Sequence, residues 1–238
     1  MHAIDGLIRW FSDPGHWAGP SGVPHRVLQH VEISLSAVGF ALLIALPVGL
    51  VIGHLRRGEF VAVTIANLGR SIPSFAILSI VFQLMLRYFK GAAFGFWPTV
   101  ISLVLLALPP ILTNTYVGVQ GVDPDTVEAA KGMGMSGRDV LLRLEVPLAT
   151  PLIVAGIRTA AVQVVATATL AALIAGGGLG RYIVDGFAQG DQPKILAGAV
   201  LVAVLAILTE LTLGLAERAL SPRLASSKRG RRRTRAEG

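Results

Sequence analysis

Apolar residues in this chain run in long, nearly unbroken stretches, over 31–53, 60–86, 97–119, 147–174 and 195–216. A helix needs about 20 such residues to cross a hydrocarbon core of about 30 Å. Each stretch is therefore predicted to span a membrane. Glu32 marks the edge of the first. The second is broken by Arg70, Ser71, Ile72, Pro73 and Ser74. Proline removes an N–H and disfavours helical geometry in the residue before it. This region reads as one long span kinked at Pro73, with two half-spans as the alternative. The halves, 60–71 and 73–86, are each too short to cross alone. The third stretch is interrupted by Pro109 and Pro110. The expected fold is an all-α integral membrane protein with five transmembrane helices.

The flanks complete the division of the chain. Residues 1–30 are predicted to hold a short interfacial helix carrying Trp10 and Phe11, then an external arm; no secretory signal peptide is read there. Residues 31–220 form the transmembrane domain, with a polar loop at 120–147. Residues 221–238 form a basic tail, predicted to be disordered and cytoplasmic.

Composition narrows the function. Residues are 53% hydrophobic and 15% charged, with mean hydropathy +0.66. A soluble domain carries about 25% charged residues. The absence of cysteine excludes disulfides, thiolate nucleophiles and cysteine-ligated metals. A net charge of +7 raises the question of nucleic acid, but the basic residues cluster beside apolar spans, so none is expected. With five spans, one side holds 13 Lys and Arg and the other holds 6; Arg70 and Arg158 fall inside spans and complete the 21. Basic flanks stay in the cytoplasm. The C-terminus is thus predicted cytoplasmic and the N-terminus outside. Tyr88, Phe89, Phe94, Phe96 and Trp97 crowd the predicted outer turn as an interfacial belt.

The polar loop carries two capping signals. Asp125 with Glu128 reads as a capping box opening a helix over 126–133, and Pro124 reads as a stop on what precedes. Ser136 with Asp139 reads as a second box, opening a helix over 138–145 that stops before Pro147. Two capped helices joined by glycines make a rigid knob.

Glu128-Ala129-Ala130, then Gly134, then Leu144-x-Val146-Pro147 resembles the EAA motif of binding-protein-dependent ABC importer permeases. The family form ends Ile-x-Leu-Pro, so this chain departs by two aliphatic exchanges. The resemblance implies a type I importer permease whose coupling helix enters a cleft of a separate ATPase. Glu128, Ala129, Ala130, Gly134 and Met135 are then the expected ATPase-coupling residues. Segments 70–75, 108–115 and 174–180 are similar to the branch importing glycine betaine, choline, carnitine and related osmoprotectants. The methionine-importer branch shares the first segment and is the rival, with another amino acid as a variant of it. The implied partners are an ABC ATPase subunit, an extracytoplasmic substrate-binding protein, a second permease copy or a paralogue, and membrane lipid. The implied location is the bacterial cytoplasmic (inner) membrane. No cofactor is expected on this chain, since ATP belongs to the partner.

The remaining motifs carry less. Gly132-x-Gly134-x-x-Gly137 matches a dinucleotide fingerprint but lacks a preceding strand. No Walker A motif occurs, so hydrolysis must come from a partner. Gly176 to Gly180 reads as a tight turn at the outer end of the fourth span. His2, His16, His25, His30 and His54 lack metal-ligand spacing and read as solvated or interfacial. No catalytic residues are expected; an intramembrane enzyme would need a constellation of acids, histidines or cysteines, and a membrane scaffold would not need a capped knob. Ser71, Pro73, Ser74, Thr113, Asn114, Thr115, Gln163 and Thr167 are the candidate translocation path, because broken backbone at membrane depth must line protein or water. Arg158 and Glu210 either snorkel to the interface or pair with one another.

Overall fold

The computed structural model describes residues 2–58, 71–89 and 95–220, together with Phe60, Thr64, Asn67 and Gly69. Helices account for almost all of them. The main ones are α1 (His2–Ser12), α2 (Val23–Leu55), α3 (Ser74–Tyr88), α4 (Phe96–Gln120), α5 (Pro124–Gly132), α6 (Val146–Thr167), α7 (Gly180–Gln189) and α8 (Gln192–Leu220). A 3₁₀ segment, Ala168–Ile174, prolongs α6. Among the described residues, four helical stretches are long and apolar enough to cross a membrane: α2, α4, the stretch ending in α6 and its 3₁₀ extension, and α8.

Helix α4 is the centre. Its apolar window is 61% buried, against 17–28% for the other three, so those three turn most of their surface outward. Helix α2 packs on α4 through Ala37, Ala41, Ala45, Gly49 and Gly53, small residues at every fourth position. Such a row lets two backbones approach closely in lipid. Glycines 118 and 156 do the same between α4 and α6, where Gly156 lies against Asn114. Helix α8 packs on α6 and α7, and α3 packs on α4.

Several sequence expectations are corrected here. The first span begins at Val23, eight residues before the predicted start. Pro109 and Pro110 do not interrupt α4, which runs continuously through both. Trp10, expected at an interface, is buried against Val23, Leu179, Tyr182 and Ala197. Its ring stacks on His16 at 4.2 Å and meets Tyr182 edge-on at 5.3 Å. The predicted second span appears as helical backbone at Phe60, Thr64, Asn67, Gly69 and Ser71, a bend at Ile72, and α3 beyond Pro73. Helix α3 alone has 15 residues, about 22 Å, which is shorter than a bilayer core. Arg70, Phe94 and the tail over 221–238 lie outside the described residues.

Candidate functional site

The polar loop folds as a compact knob. Asp123 caps α5: its carboxylate accepts from the Asp125 N–H at 3.1 Å. Pro124 is the first helical residue, a position where its missing N–H costs nothing. The predicted capping box at Asp125 and Glu128 is therefore shifted by two residues. The second box is present. Ser136 Oγ accepts from the Asp139 N–H at 3.2 Å and donates to the Asp139 carboxylate at 2.5 Å. That hydrogen bond, and next the Arg143 guanidinium at 3.2 Å, hold the Asp139 carboxyl below the ordinary aspartate value.

The knob has its own small core of Val122, Val127, Ala130 and Val140, with Met135 and Leu144 against it. Ala130 is buried in that core. Glu128, Ala129 and Gly134 are exposed, as is Met133, an apolar side chain 79% open. Gly134 has φ of +90°, a conformation that side-chain-bearing residues rarely adopt. It ends the helix and turns the chain toward Ser136.

The predicted helix stop before Pro147 is also corrected. A helical turn at Gly137–Asp139 passes into a π-helical segment, Val140–Glu145, and directly into α6. Proline in a regular helix clashes with the carbonyl four residues back. The wider π turn places Pro147 in the first turn of α6 without ending the helix.

The candidate path residues divide. Ser74 and Thr167 converge on a cleft between α3, α4 and the end of α6, together with Leu78, Thr99, Ser102, Leu103, Leu106, Leu170 and Ala171. Thr99 and Ser102 were not singled out from sequence; their spacing of three puts both hydroxyls on one face of α4, which was the available signal. They donate back to Gly95 and Pro98 carbonyls. The cleft is apolar with a scattering of hydroxyls. Ser71, Pro73 and Gln163 are exposed, and Thr113 is half-buried. Asn114 is half-buried and donates to the Pro110 carbonyl at 2.8 Å. Thr115 does not line the cleft: it is fully buried against Gly49 at the crossing of α2 and α4.

Arg158 lies 3.4 Å from Glu210 and 2.7 Å from Glu217, so one guanidinium bridges two carboxylates of α8. Glu217 is seven residues after Glu210, two turns along the same face.

Two histidines expected to be solvated or interfacial make specific contacts within the chain. His30 is fully buried, donates from Nε2 to the Val165 carbonyl at 2.8 Å, and accepts the Leu179 N–H at Nδ1. Beside it Gln29 accepts from the Gly178 N–H at 3.1 Å. Together they pin the turn at Gly176–Gly180, where Gly178 has φ of +86° and a Cβ on Gly177 would strike Gln29 at 2.4 Å. At the other end of α2, His54 Nδ1 lies 2.5 Å from Glu145, whose carboxylate is buried. Among the described residues no cluster of three metal ligands exists.

The site thus comprises a capped knob between spans, an apolar cleft with scattered hydroxyls and glycine-tight helix crossings. The family model described as "Binding-protein-dependent transport system inner membrane component" matches residues 45–226. The chain belongs to that family. It is a multi-pass permease component of the inner membrane and not an enzyme. The choline transport system permease protein OpuBB of Bacillus subtilis is 38% identical over 198 residues, covering 83% of this chain and 88% of that protein. The carnitine transport permease protein OpuCB of Listeria monocytogenes is 36% identical, with 92% and 95% covered. Among solved structures, an inward-facing form of the MetNI methionine ABC transporter matches with a TM-score of 0.72 at 21% identity, covering 84% of this chain and 96% of that one. That likeness shows the type I ABC importer permease fold.

Proposed function

We propose that the chain carries a small osmoprotectant such as choline, glycine betaine or carnitine across the membrane. In this reading a substrate-binding protein delivers the solute outside, a separate ATPase drives the cycle inside, and a second permease copy or a paralogue completes the path. The observation that carries the solute class is identity of 36–38% over more than four-fifths of both chains to permeases named for choline and carnitine. Methionine rests on fold alone. The knob is the ATPase contact: Glu128, Ala129, Met133 and Gly134 face outward on a rigid base, and Met135 braces them from beneath. The knob end is cytoplasmic, in keeping with Arg56, Arg57, Lys131, Arg138 and Arg143 gathered there. The opposite end, with the glycine turn, α1 and α7, faces the binding protein. Ser74, Thr99, Ser102 and Thr167 give a weakly polar route, suited to a solute that must not be held tightly.

The test is uptake in cells lacking other osmoprotectant importers and expressing this permease with its ATPase and binding protein. Labelled choline, glycine betaine or carnitine should accumulate, and excess methionine should not compete. Uptake of methionine alone would replace the osmoprotectant reading with the amino-acid one.

A further inference from the structure

The knob is joined covalently to α4 and α6, yet its firmest polar contacts reach a third helix, α2. At the exit of the knob, the buried Glu145 carboxylate accepts from His54 Nδ1 at 2.5 Å. At its entrance, Arg56 Nη2 donates to the Val122 carbonyl at 2.8 Å. Arg56 itself ends α2 in a left-handed conformation, φ 50°, which turns its side chain back toward the knob. Gly137 lies beside the imidazole, where even a Cβ would make ordinary contact with His54 Nε2 at 3.6 Å. A buried carboxylate is stable only when paired, and truncating its partner is strongly destabilising. The π-helical segment that carries Glu145 is a local departure from regular helix, of a kind found at functional positions.

The far end of α2 holds the opposite turn. Gln29 and His30 fix Gly178, Leu179 and Val165. Helix α2 is 33 residues long, about 50 Å, and runs unbroken through Pro47, so one continuous helix joins knob and glycine turn. We infer that His54, Glu145 and Arg56 form a latch that makes α2 move with the knob, carrying displacement of the knob to the glycine turn at the other face. They are positioning residues. This rests on the permease reading above.

The experiment uses purified permease with its ATPase and binding protein in proteoliposomes, with His54→Ala, Glu145→Ala, the double variant, and His54→Lys. Each single alanine should lower solute moved per ATP hydrolysed by roughly tenfold, a typical coupling factor, while ATPase association and solute-stimulated hydrolysis persist. The double variant should be no worse than either single, since both break one contact. His54→Lys should recover part of the loss. Wild-type ratios in the singles, additive losses in the double, or hydrolysis falling in step with uptake would each overturn the latch. A second measurement needs no weakened contact. Spin labels on L55C/R138C, both exposed positions in a chain without cysteine, should keep one separation with and without ATP. A nucleotide-dependent change in it would overturn the latch. Absence of ATP-driven uptake by the wild type would instead refute the permease reading, so the two failures are distinct.

Discussion

Replacing Gly49 by alanine should force α2 away from α4. The added carbon would lie 2.8 Å from Thr115 Cβ, 2.9 Å from its Cγ2 and 3.2 Å from the Leu112 carbonyl oxygen. Carbon atoms in contact need about 3.5–4.0 Å. The helices must therefore part by roughly 1 Å, because a backbone oxygen cannot rotate aside as a side chain can. Overpacking of this kind costs about 1–3 kcal/mol. Alanine in a helix gains about 1 kcal/mol over glycine, which partly offsets it. Gly39 in the same helix separates the two effects: a Cβ there meets nothing within 4 Å. G39A should be neutral or stabilising, and G49A less stable than G39A by about 1–3 kcal/mol. The assay is unfolding of the detergent-solubilised protein in mixed micelles, followed by tryptophan fluorescence. G53A, whose Cβ would sit 2.7 Å from Val119 Cβ, should behave like G49A. Equal stability of G39A and G49A would refute the tight crossing.

Gly134→Val should insert and fold but lose most uptake, since φ of +90° strains any side chain there by about 1–3 kcal/mol and the knob's tip must rearrange; wild-type uptake would count against the knob as the coupling element. Asp139 titrates below its ordinary value, so its contribution to the knob is present above that value and lost as pH falls through the lowered one. Ser136→Ala should move its midpoint up, read from the carboxyl carbon shift; an unmoved midpoint would show that the hydroxyl is not the cause. Cysteines at Ser136 and Gln189 report the sidedness: an impermeant reagent on intact cells should label the second and not the first, and the reverse would invert the orientation.

Four of the five predicted spans were legible, because a run of apolar residues has one physical meaning at that length; the remaining one, broken at Pro73, shows among the described residues only a helix too short to cross. The details that failed turn on proline. Pro124 reads as a stop, yet at the first helical position it opens α5. Pro109 and Pro110 read as a break, yet α4 runs continuously through both. The knob was visible from Ser136, Asp139 and its glycines, since capping is local chemistry. Distance along the chain hid the rest. His54 pairs with Glu145 from 91 residues away and His30 reaches Val165 from 135 away. One signal was available: Glu145 stands between Leu144 and Val146 in an apolar run, where a carboxylate needs a partner. Thr115 shows the converse. A polar residue beside a proline pair suggested a path, but Gly49 opposite makes it a packing residue.

The most direct measurement is solute entry into proteoliposomes holding this permease and its ATPase, with the binding protein added outside and ATP enclosed. Choline, glycine betaine or carnitine should accumulate against a gradient. Accumulation should disappear when ATP, the binding protein or the ATPase's hydrolytic activity is removed. Equal entry with a hydrolysis-dead ATPase, or without the binding protein, would contradict the assignment of this chain as the permease of an ATP-driven importer.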